Sequence, residues 1–288
     1  MLSNESNFGL GVWIIYMLWI GASLAQTSLI ISIWLAFSSL GQTPAGIFAD
    51  RYGYKTSLVF GGMILLTGAT IFAFAQSFIW LLIGFSLAGF GTAMKEGADQ
   101  ALLYESLKQQ KEESTFKKIL GKLQLNTNIF IVVTSIIGGF LYAIHPRIPL
   151  FAEVVVAAIS LLACIILIEP KRKMCHFPIL AQIKSSLHTA FYTPHFSKIF
   201  IFSALIGSIA QMTLPYAQPV FQILEIPKVY FGWISAAFFL SRGLGSWYSE
   251  QLGKIFTIDK YLVLHASVFA LFLIVMQHVT SVFYVLPV

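Results

Sequence analysis

The sequence predicts an all-α, polytopic membrane protein, and three observations carry that prediction. Of its 288 residues, 57% are hydrophobic and only 10% charged, whereas soluble domains carry about 25% charged residues. The apolar residues gather into runs of roughly 20, the length a helix needs to cross a bilayer. The basic residues fall in short segments between alternate runs, the pattern of cytoplasmic loops. Net charge is +6, but the charge sits on loops and not on one face of a soluble element, so no nucleic-acid partner is expected.

Taken in order, the apolar runs lie near 8–24, 27–49, 56–75, 77–100, 119–144, 149–168, 197–223, 229–252 and 260–281, and a tenth begins at Ser281. The first resembles a signal peptide, with Gly21-Ala22-Ser23-Leu24-Ala25 as a cleavage site. Residues 1–7 contain no Lys or Arg, however, so the positive region of such a peptide is missing. It reads as a short first span. Cys164 lies inside an apolar run and Cys175 in a basic loop, so they are not expected to pair, and no metal spacing is present. No cofactor is expected.

Charge sets the orientation. The segments after the second, fourth, sixth and eighth runs hold Arg51 and Lys55, then Lys108, Lys111, Lys117, Lys118 and Lys122, then Lys171, Arg172, Lys173, Lys184 and Lys198, then Lys254 and Lys260. The intervening loops hold Arg147 and Lys228. This asymmetry predicts a multi-pass protein of the cell membrane with a cytoplasmic N-terminus. Residues 169–196 form the longest gap, with Lys171-Arg172-Lys173, Pro178 and Pro194. They read as a linker, although an amphipathic stretch at 179–191 could lie on the membrane surface. The chain thus divides into a bundle at 1–168, a linker at 169–196 and a partial second bundle at 197–288.

An internal repeat supports that division. Gly46-Ile-Phe-Ala-Asp50-Arg51-Tyr-Gly53-Tyr-Lys55 is followed, at an offset of 200, by Ser246-Trp-Tyr-Ser-Glu250-Gln-Leu-Gly253-Lys254. Parallel repeats of this kind build transporters from two equivalent halves.

The Gly46-to-Lys55 segment resembles the signature loop between helices two and three of the major facilitator superfamily. Gly97-Ala-Asp99-Gln-Ala101-Leu-Leu-Tyr104-Glu105-Ser-Leu-Lys108 is similar to a segment of a bacterial subgroup of putative drug exporters, and Gly138-Gly139 also fits. The resemblance covers essentially the whole chain. It implies twelve helices in two bundles of six, of which nine to ten are expected here. Helix four at 77–100 would map to 277–300, beyond Val288, so a fragment lacking helices eleven, twelve and most of ten is expected. The resemblance also implies an acid two residues before Pro44, where this chain has Gln42, and an arginine in helix four, where it has Phe85.

Charged groups inside a membrane cost about 2.5–3.5 kcal/mol on insertion scales and usually have a task or a partner. Asp50, Arg51 and Lys55, with Gly46 and Gly53, are expected to form a cytoplasmic gate, mirrored by Glu250 and Gly253; the plainer reading is a positive-inside loop. Lys95, Glu96 and Asp99 are spaced to share a helix face, either as proton-coupling carboxylates or as an ion-pair network of the same gate. Glu153 reads as a titrating site or as a partner of Arg147. Arg242, opposite Gln42 under the repeat, suggests an anionic substrate or a pair with a distant acid.

Gln124 and Asn128 in the fifth run, and Gln211, Tyr216 and Gln218 in the seventh, are polar cavity candidates. Such residues more often join helices by hydrogen bonds. His265 and His278 could titrate near neutrality, against the plainer reading of structural histidines. The expected function is secondary active transport of a small solute by alternating access, with proton-coupled efflux as its specific form and a monomer as its unit. A non-transporting remnant or scaffold is the alternative. A membrane enzyme is not expected, because no nucleophile–base constellation converges at one depth.

Overall fold

The computed structural model describes residues 8–170 and 217–255, with isolated positions at 197, 260, 263, 264, 267, 270 and 271; side chains at 242 and 244–255 are excepted. Helices account for nearly all of it, and no strand occurs among the described residues. The elements are α1 (Trp13–Trp19), α2 (Leu24–Leu40), α3 (Gln42–Tyr52), α4 (Tyr54–Ala73), α5 (Phe78–Lys95), α6 (Ala98–Gln109), a 3-10 turn at Glu113–Thr115, α7 (Phe116–Ile144), α8 (Ile148–Ile166) and α9 (Val229–Ile255).

Among the described residues, five stretches are long and apolar enough to cross a membrane: Leu24–Tyr52, Tyr54–Ala73, Phe78–Gln109, Glu113–Ile144 and Ile148–Ile166. They coincide with the second to sixth expected runs. The seventh lies mostly outside the described residues, although 217–223 are helical, and the ninth and tenth lie almost wholly outside them. The first run shortens to a helix of seven residues. Outward-facing Trp80, Val155, Ile159, Leu162 and Ile166 are all more than half exposed, as lipid-facing side chains are in a protein without its bilayer.

Two expected helices prove to be interrupted. The second is interrupted only at Gly41, which keeps helical dihedrals (φ −66°, ψ −22°) just ahead of Pro44. The fourth breaks after Lys95, where Glu96 is extended (ψ 133°) and Gly97 adopts φ 82°, before α6 carries on to Gln109.

Close packing comes from small residues, the usual means where lipid removes the hydrophobic drive for helix association. α4 and α5 interlock through two glycine pairs. A Cβ on Gly68 would lie 2.7 Å from the Gly84 carbonyl oxygen, and one on Gly61 would lie 2.9 Å from that of Gly91. The largest core cluster includes Tyr16, Ile30, Phe72, Leu81, Phe85 and Phe231 and lies toward the end opposite the Lys- and Arg-rich loops. Phe85 takes its place there among Trp13, Trp34 and Phe72.

At that opposite end the two halves of the chain are in contact. α7 packs along α9, with a Cβ on Gly139 falling 2.8 Å from the Val229 carbonyl oxygen and 3.0 Å from the Gly232 nitrogen. Gly138 abuts the carbonyl of Phe8. Gln218 completes the seal. Its amide oxygen accepts from the Ile14 N–H at 3.0 Å and its amide nitrogen donates to the Leu10 carbonyl at 2.8 Å, with Gln218 1% exposed.

Candidate functional site

The site grows from the helix break at Glu96–Gly97. Gln42, in the first turn of α3, lies against the end of α5, and because α5 stops at Lys95, Glu96 turns toward it. The Gln42 Nε2 donates to Glu96 Oε2 at 2.9 Å. Around this pair lies a cavity of about 740 Å³ lined by Gln42, Gly46, Asp50, Thr92, Glu96, Asp99, Gln124, Thr127 and Asn128, among others. Its volume is that of a small-molecule site. It lies at the end of the helices that carries Arg51, Lys55, Lys108 and Lys111. None of the described residues lining it is Lys or Arg, whereas Asp50, Glu96 and Asp99 all do so.

Gln124 and Asn128 meet here as expected for neighbours one turn apart: the Asn128 side chain donates to the Gln124 carbonyl at 3.0 Å. α9 forms part of the surroundings, since a Cβ on Gly243 would lie 3.5 Å from that of Asn128. Arg242 is the preceding residue on this helix.

Lys95 departs from the expectation of a shared face with Glu96 and Asp99. The extended Glu96 and left-handed Gly97 destroy the helical register on which that spacing depends. Lys95 points away from the cavity and donates to Ser160 Oγ on α8 at 2.8 Å, with only 1% exposure. Asp99, in the first turn of α6, accepts from the Gln100 N–H at 2.7 Å. The three charges therefore serve two environments, one buried between helices and one facing the cavity.

The Glu153–Arg147 pair does not form either. Glu153 Oε1 accepts the Gly9 N–H at 2.8 Å. Arg147 donates to the Ala75 carbonyl at 3.0 Å and sits 5.6 Å from the Trp19 ring centroid. Both side chains instead satisfy backbone groups of other segments, Gly9 and Ala75.

The turn at Gly53 is real, with φ 111°. Its expected mirror is not: Gly253 lies within the unbroken helix α9, which runs to Ile255. The Glu250 and Arg242 side chains, together with Gln211, Tyr216, His265 and His278, lie outside the described residues. Gln218 is described, and it joins helices far from the cavity. Gly46 lines the cavity with open space where a Cβ would be.

Reasoning from sequence missed Glu169, which stood as the first linker residue. Its two carboxylate oxygens accept the N–H groups of Tyr54 and Lys55 at 2.8 and 2.6 Å. An acid directly after an apolar run was the available signal, but nothing local says which distant helix end it meets.

Long apolar helices packed around a polar cavity define a multi-pass membrane protein built like a transporter. The chain belongs to the Major Facilitator Superfamily, whose pattern it matches over residues 2–288. It is also 28% identical, over 126 residues, to the probable vesicular acetylcholine transporter-A of Danio rerio, covering 43% of this chain and 24% of that protein. A second Danio rerio protein, probable vesicular acetylcholine transporter-B, is 30% identical over 98 residues, or 34% of this chain and 19% of its own length. The matched stretch thus spans about a quarter or less of either relative.

Proposed function

We propose that the protein is a secondary active transporter that moves a small cationic solute out of the cell by alternating access. It lies in the cell membrane, its N-terminus and Lys- and Arg-rich loops are cytoplasmic, and it acts as a monomer. The observation that carries this reading is the cavity of about 740 Å³ with three carboxylates and no Lys or Arg among its described lining residues. Cations are stabilised in such a site by fixed negative charge at low dielectric. The two Danio rerio relatives are named for a quaternary ammonium solute, which agrees with that lining.

Alternation needs one end closed while the other is open. The α7–α9 glycine packing and the Gln218 bridge supply the closed end. The Asp50–Lys55 loop is then the cytoplasmic gate, and Glu96 and Asp99 are the groups that exchange solute and proton. The absence of a phosphate-binding loop motif in the sequence agrees with coupling to an ion gradient instead of nucleotide hydrolysis.

A second reading has one observation in its favour. Arg242 precedes Gly243, which packs on Asn128 at the cavity wall, and an arginine there would select an anion.

Everted membrane vesicles carrying the full protein decide between them. Under an imposed proton gradient, accumulation of tetraphenylphosphonium is expected, with benzoate excluded. Accumulation of benzoate instead would favour the Arg242 reading. Accumulation of neither, under any gradient, would leave a non-transporting scaffold.

A further inference from the structure

The end of the protein opposite the Lys- and Arg-rich loops holds a second cavity, of about 510 Å³, within the range of small-molecule sites. It is well separated from the first. Its Tyr142 stands 14 residues beyond Asn128 on α7, about 21 Å away at 1.5 Å per residue. The floor is aromatic, with Tyr142 and Phe231 3% and 2% exposed and Trp19 at the edge. The rim carries the exposed side chains of Gln222, Glu225 and Lys228.

Two features of this cavity suit a positive ligand. The Lys228 ammonium sits 5.7 Å from the Tyr142 ring centroid, inside the distance of about 6 Å at which a ring attracts a cation. The neighbouring Trp19 ring holds the Arg147 guanidinium at 5.6 Å in the same way. The chain thus already sets a cation of its own on the cavity's aromatic wall. Glu225 supplies the second feature. It is the one acid among the described lining residues, and among the described residues it forms no ion pair with Lys228 or any other base.

The backbone holds that carboxylate in place. The helix at 217–223 ends where the Ile226 N–H bonds the Phe221 carbonyl at 3.0 Å and the Glu225 N–H bonds the Gln222 carbonyl at 3.1 Å. This pair of bonds puts Glu225 at the left-handed position that glycine fills most easily, and its φ is 53°. Backbone conformations of this kind gather at binding positions, where a side chain contributes what the fold gives up.

We propose that this cavity is a second binding site, one for a small organic cation with an apolar body. Glu225 meets the charge, and Trp19, Tyr142 and Phe231 receive the body. Lys228 is a tethered competitor, which the ligand displaces from the face of Tyr142. An anion is disfavoured, since both the carboxylate and the negative faces of the rings repel it. The site does not rest on the transport reading of the larger cavity.

The test uses the full-length protein purified in detergent, with Cys164 and Cys175 replaced by serine and a Gln222→Cys reporter on the rim. Benzyltrimethylammonium should slow maleimide labelling of this reporter, and benzoate should not. Lys228→Ala should lower the half-protecting concentration about three- to tenfold by freeing the Tyr142 ring. Glu225→Gln should raise it about threefold, the scale of a solvated ion pair. Glu225→Gly separates binding from folding: the melting temperature should rise while protection weakens.

Labelling that benzyltrimethylammonium leaves unchanged, or that benzoate slows instead, would overturn the proposal. So would equal half-protecting concentrations in the parent, Lys228→Ala and Glu225→Gln. Protection at this rim beside a failure of vesicle transport would leave the site standing and remove the transport reading.

Discussion

The Gln42 side-chain amide holds the Glu96 carboxylate at 2.9 Å, joining the start of α3 to the end of α5 at the mouth of the cavity. Resemblance to relatives with an acid at position 42 makes this glutamine look like a lost coupling group. The geometry gives it a different part: it is the donor that aims a carboxylate on the neighbouring helix. Gln42→Leu removes the donor and keeps the volume. We expect vesicle accumulation of tetraphenylphosphonium to fall by roughly tenfold at unchanged protein abundance, the effect of about 1.4 kcal/mol on solute or transition-state binding.

Gln218 satisfies two backbone groups of the first helix with one side chain. Gln218→Leu would leave the Ile14 N–H and the Leu10 carbonyl buried without partners. An unsatisfied buried group costs about 1–3 kcal/mol, while helix-bridging bonds in membranes average about 0.6 kcal/mol, so a loss of about 1–3 kcal/mol in total is expected. Thermal unfolding in detergent measures it, and a midpoint equal to that of the parent would show that the bridge adds nothing.

Lys95 and Ser160 give a prediction of opposite sign for two partners. Ser160→Ala removes the acceptor of the buried Lys95 amine and should destabilise the protein by about 1.5–3 kcal/mol. Lys95→Met removes the charge and keeps the length, and it should be neutral or stabilising. Tetraphenylphosphonium accumulation should survive Lys95→Met, since this side chain points away from the cavity. Loss of accumulation at normal abundance would return Lys95 to the transport machinery.

Glycines at two positions should respond in contrary ways. Gly84→Leu would force α4 and α5 apart, because a Cβ on Gly84 already meets the Phe72 nitrogen at 2.6 Å. Membrane abundance should collapse, with overpacking costs of about 3 kcal/mol or more. Gly46 has open space around it within α3, so Gly46→Ala should stabilise by about 0.5–1 kcal/mol. Quantitative immunoblotting and thermal unfolding read the two effects.

Lys111 holds φ 60° just past the end of α6, where the Glu112 N–H bonds the Leu107 carbonyl at 2.9 Å. This is the left-handed helix stop that glycine fills most easily. Lys111→Gly is expected to raise stability by about 0.5–1 kcal/mol. A lowered melting temperature would mean that the lysine side chain contributes more than its backbone costs.

Much of the fold is legible in the chain because hydrophobicity along a membrane protein is a one-dimensional signal. Each span must be apolar over its own length, so runs at 27–49, 56–75 and 149–168 find their helices with small shifts at the ends. The break at Glu96–Gly97 was not legible, because a membrane segment can interrupt its helix without losing its hydropathy. That single omission accounts for Lys95: spacing rules presuppose an unbroken helix, and two non-helical residues turned one charge toward α8 and the others toward the cavity.

By itself the sequence determined the solvent, the number and rough placement of the described spans, the Gly53 turn and the family, since each depends on composition or on residues close together in the chain. Only the tertiary structure decided which polar groups meet. Gln42 reaches Glu96 over 54 positions, Glu169 reaches Tyr54 over 115, and Gln218 reaches Ile14 over 204. A hydrogen bond is made within about 3 Å, and no local pattern records which distant backbone group will be left wanting a partner once the helices have packed.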